Sequence, residues 1–351
     1  MELHIHSLTR CKLYAPNDIQ FYLPHNLTED TRRMAFCSKT KLFSLSLTIL
    51  LSAFAITFLG AHAQDQQGPA IRVGVNLVLV DATIKTKSGQ VMDDLKKEDF
   101  EVREDGAPQR IDVFSRDLLP LNVALVLDLS DSIGPFLVPL RDAAAITLGT
   151  LKPEDEVALF TFSNEAELRV PFTHDKDEIA AAINSFQARG ATNINDGIFA
   201  AAKYLMTAPP NGRRVIILIS DDVGTDAGNQ GTADIITETL AAGAALYNLR
   251  IPGHNPMGTL IYSATVPGLV NIRKVMDQSG GEIFDVKDVK DLGATFSALM
   301  QRIKTRYTLG YYTDATGELA KPHKLEVRLT PQFGTKGKNY IVLSKNGFFV
   351  Q

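Results

Sequence analysis

Cysteine is almost missing from this chain: its 351 residues include two, Cys11 and Cys37. Both precede the point at which the N-terminal segment reads as a cleaved secretory signal, so the mature chain is expected to contain none. Such a chain forms no disulfide and no thiolate metal site, and its stability must come from packing. Long runs of like charge and internal repeats are lacking as well, which argues against a nucleic-acid tail or a solenoid. Formal net charge is -4. The first 63 residues carry six Lys/Arg against four Asp/Glu, a surplus of two positive charges, so removing them leaves -6. A mildly acidic body has no electrostatic footprint for nucleic acid or an anionic membrane. Beyond residue 63 histidine is reduced to His174, His254 and His323, which lie far apart without ligand spacing and read as surface or structural. G-x-S-x-G, G-x-G-x-x-G and the Gly-rich Lys phosphate loop are all absent.

What is present begins with a large apolar fraction, 45% of residues against 22% charged, enough to bury at least one sizeable core. At the N-terminus Met34 opens a stretch with Lys39 and Lys41, an apolar run from Leu42 to Leu59, and Ala61-His62-Ala63 before Gln64. This is the three-part layout of a secretory signal. Residues 1–63 are therefore an upstream extension plus signal peptide with Met34 as the expected start, and the protein is expected in the periplasm, cell envelope or medium. The rival is a retained anchor, since the 18 residues from Leu42 to Leu59 approach the length that spans a bilayer.

Residues 64–70 read as a polar linker and 71–118 as a small β-rich module. In it Ile71 to Ile84 is strand-like, Lys87 to Gln90 is a turn, and Asp105-Gly106 is a hairpin signal with Arg110 to Phe114 as the return strand. Leu119-Pro120 marks a boundary, beyond which apolar strands alternate with helical spacing through 119–306. The expected strands are Asn122–Leu127, Val157–Phe162, an edge at Leu168–Phe172, Arg214–Ile219, Ala244–Ile251 and Glu282–Val286. Helices are expected over Phe136–Leu151, Lys176–Phe186, Ile194–Met206, Ala233–Ala242, Leu269–Gln278 and Val289–Lys304. This alternation predicts an α/β fold, a doubly wound and mostly parallel sheet of Rossmann-like architecture. Strand signals return in 307–351, and these strands are expected to pack with the N-terminal module, because each set is small for an independent core.

Ligands of open α/β sheets bind outside the carboxyl ends of the strands. The first such end reads Asp128-Leu129-Ser130-Asp131-Ser132, where oxygen-bearing side chains at alternate positions can converge. The second is Ser220-Asp221-Asp222, and Thr192 stands in the loop before a helix. Carboxylate combined with several hydroxyls is hard-oxygen chemistry, suited to Mg²⁺, Mn²⁺ or Ca²⁺ and poor for Zn²⁺. Taken singly, the D-x-S-x-S stretch reads equally as a turn with a helix cap, and Thr192, Asn193 or Asp221 as caps.

Together these residues resemble the metal-ion-dependent adhesion site of von Willebrand factor type A domains. The resemblance implies that Ser130, Ser132 and Thr192 reach the ion through hydroxyls, and that Asp128 and Asp221 act directly or through water. Glu98 to Gly106, Tyr307 to Tyr312 and Gly347-Phe348-Phe349 are similar to a related bacterial family common in Acidobacteria, which extends the likeness over nearly all of 71–350. One departure is Asp222, where that family often has Gly; the extra carboxylate either lies near the metal or points away. The implied function is an exported, non-enzymatic adhesion or binding protein whose ion engages a carboxylate on a protein, peptide or glycan partner, with no nucleic acid partner and a membrane only if the signal segment is kept. The loops Val223–Gly231 and Pro252–Thr265 are expected to supply specificity.

Two other readings stay open. A haloacid-dehalogenase-like phosphatase also places Asp after its first strand and paired Asp later, but Ser130 stands where its acid would be needed, leaving no group to protonate the departing alkoxide. A structural envelope module with a vestigial metal site is the third.

Overall fold

The computed structural model describes residues 76–116, 119–209, 212–226, 228–253, 267–313, 322–331 and 340–349. The signal segment, the linker, residues 71–75 of the first expected strand and residues 254–265 of one expected specificity loop lie outside these. No helix among the described residues is long and apolar enough to cross a membrane. All of them belong to one compact unit, Arg72–Gln351.

The centre is a six-stranded sheet of β5 (Leu121–Asp128), β6 (Glu156–Phe162), β7 (Ala166–Thr173), β8 (Arg213–Ser220), β9 (Ala245–Arg250) and β10 (Ile283–Asp285), in the order β10-β9-β8-β5-β6-β7. Every neighbour pairs in parallel except the edge strand β7, which runs antiparallel to β6. β5 is buried at every position. Its alternation still tells the two faces apart: Leu121, Val123, Leu125 and Leu127 pack into one core, Ala124 and Val126 into the other.

The first core is covered by α1 (Leu137–Leu148), α2 (Lys176–Asn184) and α6 (Leu292–Lys304), through residues such as Leu140, Ile179 and Phe296. The second is covered by α3 (Ile194–Leu205), α4 (Thr232–Ala241) and α5 (Ile272–Ser279), through Ile198, Ile235 and Val275. The helix expected from Phe136 is shorter at both ends. Pro135 lies in a 3-10 turn, Asp131–Phe136, ahead of α1, and α1 stops at Leu148 with Gly149 as its cap.

Below the sheet, two four-stranded antiparallel sheets share a third core that contains Val80, Ile84, Val102, Tyr307, Leu309, Tyr311, Leu325 and Val327. One has the order β13-β1-β11-β4, from β13 (Tyr340–Ser344), β1 (Asn76–Thr86), β11 (Tyr307–Thr313) and β4 (Val113–Arg116). The other has the order β14-β12-β2-β3, from β14 (Gly347–Phe348), β12 (His323–Leu329), β2 (Phe100–Glu104) and β3 (Ala107–Gln109). N-terminal strands therefore pair with C-terminal ones, β1 with β11 and β2 with β12.

The hairpin at Asp105-Gly106, both at positive φ, returns through Ala107–Gln109 rather than through Arg110–Phe114. The chain then crosses to the other sheet, where Val113–Arg116 pairs with β11. The turn fixed a short return, and the apolar residues after it were claimed by a different neighbour.

A buried ionic junction fastens this module to the α/β domain. Arg213, 3% exposed, donates to Asp81 Oδ2 at 2.9 Å and to the Ile303 carbonyl. Arg306, 1% exposed, donates to Tyr247 Oη, the Asp81 carbonyl and the Leu343 carbonyl, and Thr308 donates to Asp81 Oδ1. Burial alone would raise the Asp81 pKa, but Arg213 and Arg306 outweigh it and hold the carboxyl below its ordinary value. Gly280 closes α5 in the left-handed region, where a Cβ would come 2.4 Å from the Ser344 backbone.

Candidate metal centre

In sheet order the chain moves from β5 to β6 on one side and later to β8 on the other, so the topological switch point lies between β5 and β8. Asp128 ends β5, and the register pairs Leu127 with Ile219, which brings Asp128 beside Ser220. The Asp128 carboxyl is fully buried. Its Oδ1 accepts the Ser130 N–H at 2.8 Å, and its Oδ2 accepts the Ser220 hydroxyl at 2.8 Å. Burial pushes its pKa up to about 6, against hydrogen bonds from Ser130 and Ser220 that pull it down, and the nearby Asp221 charge adds to the rise.

Ser130 is 2% exposed, and its Oγ lies 3.0 Å from the Ser132 Oγ. Asp221 follows β8 directly. Burial raises its pKa too, partly offset by hydrogen bonds from the Val223 N–H, at 3.1 Å, and from Ser132. Asp128, Ser130, Ser132 and Asp221 thus form one hydrogen-bonded group.

Thr192, 4% exposed, reaches the same end of the sheet by another route. The Arg189 N–H donates to the Leu129 carbonyl, tying its loop to the Asp128 loop. The Thr192 N–H donates to Thr225 Oγ1 at 2.8 Å, and its carbonyl accepts the Thr225 N–H, tying it to the Asp221 loop. No side-chain hydrogen bond joins Thr192 to the other four among the described residues. Its neighbour Asn193 caps α3 by accepting the Asp196 N–H.

Asp222 turns elsewhere. Its backbone is left-handed, φ 62, the conformation that favours glycine at this place. Both of its carboxylate oxygens accept from Asn248 Nδ2, at 2.8 and 2.9 Å, and Arg250 lies 3.8 Å away. Burial pushes its pKa up to about 7, against the pull of Asn248 and Arg250.

Three partners were missed in the sequence: Ser220, Thr225 and Asn248. Each is a strand or loop residue whose role depends on register or on loop packing, so no local pattern marks it. Away from this centre, His323 Nδ1 meets Asp105 Oδ2 at 2.8 Å and lies 3.4 Å from Glu104 Oε1, while its ring stacks on Phe348.

The donor set fits a small hard cation. Cis ligands of an octahedral Mg²⁺ at about 2.1 Å stand about 3.0 Å apart, the spacing that Ser130 Oγ and Ser132 Oγ already show. Two buried carboxyls, both with pKa raised by burial and that of Asp128 raised further by the Asp221 charge, form an anionic site that a cation would relieve.

The doubly wound sheet thus gathers hydroxyl and carboxylate oxygens at its switch point. Residues 123–224 match the family model described as the von Willebrand factor type A domain. The chain is 30% identical over 211 residues to a UPF0353 protein of Mycolicibacterium paratuberculosis (strain ATCC BAA-968 / K-10), covering 53% of this chain and 62% of that protein. It is 33% identical over 119 residues to inter-alpha-trypsin inhibitor heavy chain H4 of Bos taurus, covering 30% of this chain and 13% of that one. The chain thus spans less than two thirds of either relative. Among solved structures, a von Willebrand factor type A protein from Catenulispora acidiphila matches with 10% identity and a TM-score of 0.44, over 73% of this chain and 75% of that one.

Proposed function

We propose that the protein is an exported, non-enzymatic binding protein that holds a divalent ion, Mg²⁺ or alternatively Mn²⁺ or Ca²⁺, at Asp128, Ser130, Ser132, Thr192 and Asp221. The ion would supply an electrophilic position for a carboxylate of a protein, peptide or glycan partner. The observation that carries this reading is the 3.0 Å pair of serine hydroxyls set between two buried carboxyls. Hydroxyls are neutral ligands, so an ion held largely by them keeps its attraction for an outside anion. The match of residues 123–224 to the von Willebrand factor type A model supports a protein-interaction role.

Asp128 is a poor nucleophile for the phosphatase alternative. Both of its oxygens are engaged by Ser130 and Ser220 beneath the surface, and no acid stands at Ser130. Export rests on the N-terminal signal layout alone.

The test is capture of partners from cell-envelope extracts in Mg²⁺ and in EDTA. Capture that EDTA abolishes, Mg²⁺ restores, and Ser130→Ala/Ser132→Ala removes without loss of the folded circular dichroism spectrum supports the reading. Equal capture in chelator places recognition on another surface.

A further inference from the structure

A cavity of about 270 Å³ lies between the β-module and the amino ends of the central strands. Its walls come from Leu77 to Asp81 of β1, from the start of β8, from the end of α4 and from the turn after β13. Three cationic side chains, Arg213, Arg214 and Lys345, line it with one carboxylate, Asp81. Asp81 is already engaged by Arg213 and by Thr308, so a surplus of two positive charges remains.

Arg214 is held in place by uncharged partners. Its Nη1 donates to the Ala242 carbonyl and its Nη2 to the Ala208 carbonyl, both at 2.9 Å, while its Nε is buried with no acceptor among the described residues. Lys345 is mostly buried against the end of α4, where a Cβ on Gly243 would come 3.6 Å from its Nζ. No hydrogen bond or ion pair engages its ammonium among the described residues. Burial lowers its pKa to about 8, Asp81 opposes that, and Arg214 adds to it. Two cationic heads close enough to repel, with one carboxylate already shared, form an arrangement that an anion from outside would stabilise.

We propose that this cavity binds a phosphate dianion, free or as a small phosphate monoester, through the charge of Arg214 and the ammonium donors of Lys345. A compact dianion suits it better than an extended dicarboxylate, because both positive groups act on one confined space. Leu79 and Phe348 line the same cavity and offer an apolar wall for the organic part of an ester. The seven residue steps of β8 from Arg213 to Ser220 put the cavity roughly 23 Å from the metal centre, so this inference stands apart from the proposed function.

The experiment is calorimetric titration of the purified protein at pH 7 in EDTA, which keeps phosphate from binding through a metal at the other site. Inorganic phosphate and glucose 6-phosphate are the probes and succinate the comparator. Saturable phosphate binding, weakened tenfold or more in Lys345→Gln, kept within a few-fold in Lys345→Arg and unchanged in Asp128→Ala, supports the proposal. Tighter binding of glucose 6-phosphate than of inorganic phosphate assigns the ester, and the reverse assigns the free ion. Lys345 has no side-chain hydrogen-bond or ion-pair partner among the described residues to lose, so its variants are expected to fold, as circular dichroism would verify. Absence of saturable binding by both phosphate probes, equal binding in wild type and folded Lys345→Gln, or succinate binding as tight as phosphate overturns it.

Discussion

Asp128→Asn should stabilise the metal-free protein at pH 8 while destroying its response to Mg²⁺. In the folded chain Asp128 ionises near pH 6 rather than at its ordinary 3.8, because burial opposes the charge. The unfolded chain therefore releases this proton at lower pH than the folded chain does. Between about pH 4 and 6 the folded form holds a proton the unfolded form has lost, so stability falls as pH rises and stays at its lower level above that window. A rise of about two pKa units corresponds to about 3 kcal/mol. The asparagine carries no charge to bury, and it keeps an acceptor for the Ser130 N–H while the Ser220 hydroxyl can rotate to accept from its amide. In EDTA at pH 8 the variant should melt roughly 6–12 °C above wild type, at about 2–4 °C per kcal/mol for a chain of this size. The gap should close near pH 4. Mg²⁺ at about a hundred times its Kd should raise wild type by about 2.7 kcal/mol and leave the variant unmoved. Circular dichroism melts at pH 4 and pH 8, with and without Mg²⁺, measure all of this. A variant less stable than wild type at pH 8 in EDTA would refute the reasoning, since it would mean that the Asp128 charge is already compensated in the metal-free fold.

Other consequences follow from the same geometry. Asp81→Ala strips a buried counterion from Arg213 and should cost about 3–5 kcal/mol, read as a lowered denaturant midpoint; a loss below about 1 kcal/mol would show that the junction is unimportant. The exported protein should begin at Gln64, and mass-spectrometric sequencing that finds Leu42 to Leu59 intact would favour an anchor. Generic phosphate esters should not be turned over, and robust hydrolysis lost in Asp128→Ala would revive the phosphatase reading.

Much of the site was legible because its first half is local. Asp128, Ser130 and Ser132 occupy alternate positions just past an apolar run, and the structure links their side chains or backbones directly. The buried strands β5 and β8 were readable for a similar reason, since continuous apolar runs bounded by polar residues mark a parallel sheet covered on both faces. Ser220 was not legible as a partner of Asp128, because their contact depends on the register between two strands 92 residues apart. Nor was the direction of Asp222, which follows from a positive φ and from Asn248 on a neighbouring strand. In the module, the path from Gln109 to Val113 was hidden. Hairpin chemistry fixes a turn, but which sheet claims the next apolar residues depends on strands about 200 positions away in sequence.

The claim that this centre holds a divalent ion is tested most directly by calorimetric titration of Mg²⁺ into metal-stripped wild type and Asp128→Ala. The account predicts one saturable site per chain in the wild type and none in the variant, with both giving the same folded circular dichroism spectrum. Equal binding by both, or no saturable binding by the wild type with Mg²⁺, Mn²⁺ or Ca²⁺, would contradict it.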